Sequence, residues 1–369
     1  MRLKSIELAH YRNYESLRLE TDHMVNVFIG PNAQGKTNLL EAIFVLALAR
    51  SHRTSKDREL IGWNSTMARA AGEAERRYGE VSLEIVFTEQ GKRAKVNGLE
   101  QRRLSEFVGT LNVVMFAPED LEIVKGAPGV RRRFLDMEIG QIQPGYLHAM
   151  QQYAKVLMQR NRYLKTATPG TKHDLLDVWD EQLASWGVKL MKKRQQFIVK
   201  LRQWAASIHA GITGGGEELA VDYRPSFEMA DGEEEAVLFE RFMVKLSQAR
   251  EQELRRGVTL IGPHRDDLLL RINGMEAQAY GSQGQQRTTA LSLKLAEIEL
   301  IREETGEYPV LLLDDVLSEL DRNRQTMLID TFQRKVQTFI TTTSLDSVDM
   351  EKLRDACLYR VKDGRAEKA

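Results

Sequence analysis

Cysteine is almost missing from this chain: Cys357 is the single one in 369 residues. No internal disulfide can form, so a disulfide scaffold is excluded and a reducing compartment, the cytoplasm, is expected. Long apolar runs are missing as well. The most apolar stretches, 42–49 and 310–313, fall far short of the roughly 18 residues of a membrane span. The opening Met1-Arg2-Leu3-Lys4-Ser5-Ile6-Glu7 has no apolar signal-peptide core. Net charge is zero, with 53 basic and 53 acidic residues. What remains is ordinary soluble composition, 42% hydrophobic and 29% charged, which excludes a disordered tail and a collagen. A mass of 42.2 kDa suits one large domain or two ordinary ones.

The zero charge is an average. Residues 125–210 carry 15 basic and 6 acidic residues, whereas 1–124 are balanced at 17 each. A basic middle section can offer one face to a polyanion. It can equally be the solvated side of long Lys- and Arg-rich helices, and composition alone favours that blander reading.

Periodicity divides the chain into three. Residues 1–124 read as the first part of an α/β domain. Its opening alternates like paired strands around a turn at Arg12-Asn13-Tyr14-Glu15-Ser16, and Met24-Val25-Asn26-Val27-Phe28-Ile29 has the pattern of a strand buried on both faces. Residues 37–49 read as an apolar helix. Strands are expected at 81–88 and 111–116, with a turn at Asn97-Gly98. Residues 125–257 read as a helical arm. Leu147, Met150, Tyr153, Ala154, Leu157 and Met158 recur at helical spacing, as do Leu175, Val178, Trp179, Leu183, Trp186 and Leu190. Thr168-Pro169-Gly170 separates the two helices, and a third runs from Glu233 to Arg256, stopped by Gly257. Aromatics on these stripes suit a core better than a base-stacking platform. Residues 258–369 return to α/β, with strands at 258–261, 268–272 and 310–313, a hairpin turn at Asn273-Gly274 and a helix over 285–305. The expected architecture is therefore α/β at both ends with an inserted, mainly helical arm domain.

Gly30-Pro31-Asn32-Ala33-Gln34-Gly35-Lys36-Thr37 matches the P-loop pattern in full, between a buried strand and an apolar helix beginning at Thr37-Asn38. Glycines let backbone N–H groups curl around phosphates; Lys36 reaches the terminal phosphates; the Thr37 hydroxyl suits Mg²⁺. The helix points its positive end at the anion. Such a loop needs a partner carboxylate. Val310-Leu311-Leu312-Leu313-Asp314-Asp315 supplies one: Asp314 at the strand end to hold Mg²⁺, and Asp315 to orient or deprotonate an attacking water. Lys36 and Asp314 stand near opposite ends of the chain. A second Gly-rich helix start, Ser282-Gln283-Gly284-Gln285, offers another phosphate seat. A head-to-tail dimer would use both, each protomer completing the other's site.

These motifs resemble the RecF family of bacterial recombination mediators, relatives of the SMC and ABC-type ATPases. The resemblance spans essentially the whole chain. Beside the P-loop, the signature-like 282–285 and Asp314-Asp315, it rests on Ser318-Glu319-Leu320-Asp321, on 118–136, on Ser51-His52-Arg53-Thr54 and on Gly262-Pro263-His264-Arg265-Asp266-Asp267. It implies an ABC/SMC-type ATPase head built from both chain ends, with ATP and Mg²⁺ as cofactors. It also implies an ATP-dependent homodimer on duplex DNA beside single-strand gaps, working with RecR and RecO to load RecA, under DNA damage and the SOS response. The signature departs from the ABC pattern at Gln283, the catalytic glutamate is replaced by Asp315, no clear Q-loop glutamine is found near 116–121, and threonines at 341–343 stand where a switch histidine is usual. These departures suit a slow ATP-driven switch, and the resemblance implies a weak, DNA-stimulated ATPase.

For DNA contact the candidates are Arg131-Arg132-Arg133, Lys192-Lys193-Arg194 with Lys189, Lys200 and Arg202, and the set Arg50, Arg53, Lys56 and Arg58. A solvated surface explains each cluster equally well, and Arg132 or Arg133 could instead pair with Asp136 or Glu119. Two other readings stay open: an ABC-type ATPase subunit of another machine, such as a transporter with a membrane partner, and a docking protein with a vestigial ATPase.

Overall fold

The computed structural model describes residues 1–167, 174–332, 335–344 and 356–369, so the expected helix break at 168–170 lies outside the described residues. Two compact units emerge: Met1–Asp120 with Ala290–Ala369, and Leu121–Thr289.

The first unit holds two six-stranded sheets. One is antiparallel. Arg2–Tyr11 and Tyr14–Glu20 form its opening hairpin, closed by Arg12 in the left-handed region, φ 53°. Gly79–Thr88 and Gly91–Val96 extend it, and Asn97 and Gly98, both at positive φ, make the expected tight turn. Its centre is Met67–Arg76, paired with Arg2–Tyr11 and Gly79–Thr88. Alanine, glutamate and arginine give that segment a helical composition, and nothing in its sequence marks it as a strand. It is held by its neighbours: a Cβ on Gly72 would lie 2.6 Å from the Ser5 carbonyl oxygen.

The other sheet has a parallel centre: Val113–Phe116, Val310–Asp314, Thr338–Thr342, Val25–Ile29 and Ala356–Lys362 lie side by side in that order. Strands from both chain ends thus interleave, with Val25–Ile29 between Thr338–Thr342 and Ala356–Lys362. The helix Lys36–Leu48 packs against strands of both sheets, which is why eleven of its thirteen residues are buried and its apolar character runs all round.

The second unit is built on three long helices, Pro144–Thr166, Asp174–Thr213 and Glu235–Arg256. The last ends at Gly257, φ 65°, a left-handed cap. Leu176, Leu183, Leu190 and Leu201 line the inside of the forty-residue helix; Leu175 and Val178, expected on that stripe, are exposed. The expected change of domain after Gly257 falls inside this unit, because Asp267–Ile272 pairs antiparallel with Leu219–Arg224. Residues 258–261 are also not a strand. Their polar groups are taken by side chains: Asn161 accepts from the Thr259 N–H at 2.8 Å and Glu253 from the Leu260 N–H at 2.7 Å. A segment satisfied in that way has no need of a ladder.

Candidate functional site

The phosphate loop leaves the end of Val25–Ile29 and turns into Lys36–Leu48. Gly30 has no room for a side chain: its Cβ would sit 2.2 Å from the Val361 carbonyl oxygen. Ala33 and Gly35 take positive φ, 64° and 116°, which curls the loop around a concavity. Neighbouring side chains hold that curl. Asn13 donates to the Gln34 carbonyl at 3.0 Å, Tyr14 to the Gly35 carbonyl at 3.0 Å, and the Gln34 side chain accepts from the Asp363 N–H at 2.7 Å. Pro31 and Asn32 complete the loop, and Asn38 in the first helical turn donates to Asn13 at 2.8 Å.

Lys36 reaches back over the loop. Its ammonium donates to the Gly30 and Pro31 carbonyls at 2.7 and 2.9 Å. Burial pulls its pKa below the ordinary ammonium value, and the charges of Asp315 and Asp314 oppose that pull. Thr37 donates to Asp314 Oδ1 at 3.0 Å, so the loop from one chain end and the acid from the other meet directly. Burial pushes the Asp314 carboxyl above the usual carboxylate range, although the Thr341 and Thr37 hydroxyls stabilise its charge. Asp315 follows at φ 55°, a strained conformation for a non-glycine residue, and its Oδ1 is buried without a hydrogen-bond partner.

Two residues matter here that the motifs did not assign. Thr341 donates to Asp314 Oδ1 at 2.8 Å, and its hydroxyl oxygen accepts the Asp315 N–H at 2.9 Å, so it holds both acids. It belongs to the threonine run that stands where a histidine was expected; the run itself was the only signal. Glu119, just past Val113–Phe116, adds negative charge that raises Asp314 further. His52 plays no ionised part: burial lowers its pKa to about 4 and its ring packs edge-on against Phe44.

Behind the loop helix lies an ion cluster centred on Glu41, which is fully buried. Arg12 forks onto its carboxylate at 2.8 and 2.7 Å, and Ser51 donates to it at 2.5 Å. Ser51 also accepts from the Arg53 and Thr54 N–H groups, which fixes the following loop. Arg53 then donates to Asn38 at 2.9 Å. A cavity of about 570 Å³ opens beside these groups, lined by Asn13, Asn38, Arg53, Arg58 and Trp63 among others, with Trp63 99% exposed.

A divalent cation suits the Thr37–Asp314 pair. Both groups offer oxygen, and the buried, unpartnered Asp315 Oδ1 is an acceptor still to be satisfied. Among the described residues no group of three or more His, Cys, Asp or Glu could hold a metal unaided. A pair of oxygens fits a cation that keeps most of its shell for other ligands, as Mg²⁺ does.

Ser282-Gln283-Gly284-Gln285 lies in the second unit and opens the helix Gln283–Thr305. Ser282 and Gln283 are exposed. Ser282 Oγ accepts the Gln285 N–H at 3.2 Å and Gln285 Oε1 accepts the Ser282 N–H at 2.9 Å, a reciprocal capping box.

The basic clusters divide sharply. Arg131 is buried, forked onto Asp267 at 2.7 and 2.9 Å, and Arg132 donates to the Asp266 carbonyl at 2.7 Å. Arg194 is buried too, donating to Asp136 at 2.8 Å and to the Pro263 carbonyl at 2.6 Å. Arg131 and Arg194 therefore bind the Gly262–Asp267 motif and its surroundings, not a polyanion. Arg133 and Lys193 are exposed; Arg202 pairs with Asp222 and Arg58 with Glu89.

Residues 2–366 match the family described as RecF/RecN/SMC N terminal domain. The chain is 53% identical over 366 residues to the DNA replication and repair protein RecF of Bacillus subtilis (strain 168), covering 99% of each. It is similar to a solved structure of the recombination mediator protein RecF-ATP in the RecFOR pathway, with TM-score 0.92, 38% identity, and coverage of 100% of this chain and 97% of the other. An SmcHead bound to the C-winged helix domain of ScpA is similar in fold alone, with TM-score 0.56, 15% identity, and coverage of 100% and 97%.

Proposed function

The chain belongs to the RecF family, within the RecF/RecN/SMC group, and has the ABC/SMC-type head fold built from both chain ends; from that membership we propose that it is an ATP-driven DNA-binding switch of recombinational repair. The reading is carried by one observation: the Thr37 hydroxyl and the Asp314 carboxylate, from opposite chain ends, meet at 3.0 Å beside a complete phosphate loop. A relative at 38% identity is described with ATP, and its fold matches throughout.

In this reading the backbone of 30–37 and the first helical turn through Asn38 cradle the phosphates of ATP. Lys36 moves from the loop carbonyls to the terminal phosphates. Thr37 and Asp314 would hold Mg²⁺, which would supply positive charge against the phosphate oxygens. Thr341 fixes the Asp314 oxygen and the Asp315 backbone. Asp315 orients or deprotonates the attacking water; its shorter side chain suits slow turnover. The curl of the loop, the buried Lys36 and the strained Asp315 are the costs of a preorganised site.

Ser282, Gln283, Gly284 and Gln285 of a second copy complete the site at the γ-phosphate, so ATP favours the dimer and ADP the monomer. The dimer grips duplex DNA next to single-strand gaps and, with RecR and RecO, promotes RecA loading. The setting is the cytoplasm, in DNA damage and the SOS response. Among the described residues no helix is long and apolar enough to cross a membrane. ATP hydrolysis measured with and without gapped duplex DNA tests the proposal. Weak basal turnover that rises with gapped DNA supports it; no turnover under either condition contradicts it.

A further inference from the structure

We propose that Glu217 is a positioning residue for the phosphate seat of the second unit, acting through Gln285 and coupling that seat to His209, four residues before the end of the forty-residue arm helix. The inference rests on the composite-site reading above.

The capping box commits Gln285 Oε1 to the Ser282 N–H. Its amide NH₂ must then face the other way, and there it donates to Glu217 Oε1 at 2.9 Å. The second carboxylate oxygen of Glu217 lies 3.2 Å from His209 Nε2. His209 is fully buried, and Thr213 at the helix end donates to its carbonyl at 2.9 Å. Chain geometry makes this link possible. Gly214 and Gly215 take positive φ, 61° and 78°, and the Gly215 N–H donates to the Ala210 carbonyl at 2.8 Å. The chain therefore turns back sharply after the helix and carries Glu217 to Gln285 before Leu219–Arg224 begins.

An amide has two faces of opposite polarity, and only one of them suits Ser282. A carboxylate acceptor on the NH₂ side selects that orientation with a charge-assisted hydrogen bond. The Ser282 hydroxyl is thereby held in the same place before any phosphate arrives. His209 fixes the carboxylate in turn, so a shift at the helix end moves Glu217 and releases Gln285. Coupling of this kind lets events along the arm bias the affinity for ATP across the dimer.

The test compares Glu217→Ala, Glu217→Gln and Ser282→Arg by sedimentation with ATP. A fluorescent ATP analogue is titrated in parallel at protein concentrations below dimerisation. Loss of one charge-assisted bond should weaken ATP-dependent dimerisation of Glu217→Ala about tenfold. Analogue binding by the protomer should not change. Glu217→Gln keeps an oxygen acceptor for the Gln285 NH₂ and should dimerise within about threefold of the parent. If Glu217→Ala fails to fold, Gln285→Glu sets two carboxylates against each other and should lose the dimer instead. Glu217→Ala dimerising like the parent while Ser282→Arg does not would overturn the positioning role alone. Equal losses in Glu217→Ala and Glu217→Gln would overturn it as well. Dimerisation of Ser282→Arg with ATP would overturn the composite-site reading on which it rests.

Discussion

Thr37 and Asp314 are 277 residues apart in sequence and share a hydrogen bond of 3.0 Å. Thr341 converges on the same carboxylate oxygen at 2.8 Å, so two hydroxyls from two different elements fix one acid. Any account of the chain has to explain why its two ends are folded into one site.

Lys36 is the first place to test that site. Lys36→Ala should abolish productive ATP binding, because the cation for the terminal phosphates is gone. Lys36→Arg should bind ATP yet hydrolyse it poorly, since a planar fork does not replace a point charge. Equilibrium binding and turnover assays read both; normal turnover in the two variants would remove the loop from the mechanism.

Asp314 makes a prediction about stability as well as activity. Burial raises its folded pKa above that of an ordinary aspartate, so the folded protein binds this proton more tightly than the unfolded chain. The contribution to stability is most favourable below that unfolded value and is lost as pH rises through the folded pKa. At neutral pH the ionised, buried carboxylate costs stability. Asp314→Asn should therefore raise the nucleotide-free Tm at neutral pH while abolishing hydrolysis, with the Tm difference shrinking toward acid. A lower Tm for Asp314→Asn at neutral pH would contradict this.

Removing the Thr341 hydroxyl without changing its shape isolates its role. Thr341→Val loses the bonds to Asp314 Oδ1 and to the Asp315 N–H. A hydrogen bond to a charged group is worth about 1.5–3 kcal/mol, so kcat should fall roughly tenfold or more. ATP affinity should change less, since Lys36 and the loop are untouched. An unchanged kcat would leave Thr341 a core residue only.

The basic middle section separates into structural and surface charges. Arg194→Ala should cost about 3–5 kcal/mol of stability, because it leaves the buried Asp266, and the partly exposed Asp136 beside it, without their cation. Lys193→Glu, at an exposed position, should leave the fold intact; a weaker affinity for duplex DNA and a shallower salt slope would place it on the DNA face. Denaturant melts and salt-dependent DNA titrations distinguish the two. A well-folded Arg194→Ala protein would contradict the first expectation.

The geometry that brings the loop to Asp314 was legible because it depends on local spacing. A P-loop announces itself in eight residues, and an apolar run ending in Asp314-Asp315 marks a strand end. The need for one loop and one acid implied a site built from both chain ends, but not that their strands interleave in one sheet. What escaped depends on the fold's interior. Met67–Arg76 has a helix-like composition and is a strand because its neighbours on both sides need a partner. Residues 258–261 look like a strand, but Asn161 and Glu253 take their backbone donors. Arg194 sits in a run of cations with nothing to distinguish it from Lys193, and only the packing of the long helix turns one inward and the other outward. Glu217 carries no motif at all; its contact with Gln285 exists because two glycines reverse the chain.

The central claim is that ATP joins two copies through the loop of one and Ser282 of the other. Sedimentation of the parent chain and of Ser282→Arg, each without nucleotide, with ADP and with ATP, tests it most directly. The account predicts a parent that dimerises with ATP alone, and a Ser282→Arg protein that binds ATP but stays monomeric. An oligomeric state independent of nucleotide, or a Ser282→Arg protein that dimerises with ATP, would contradict it.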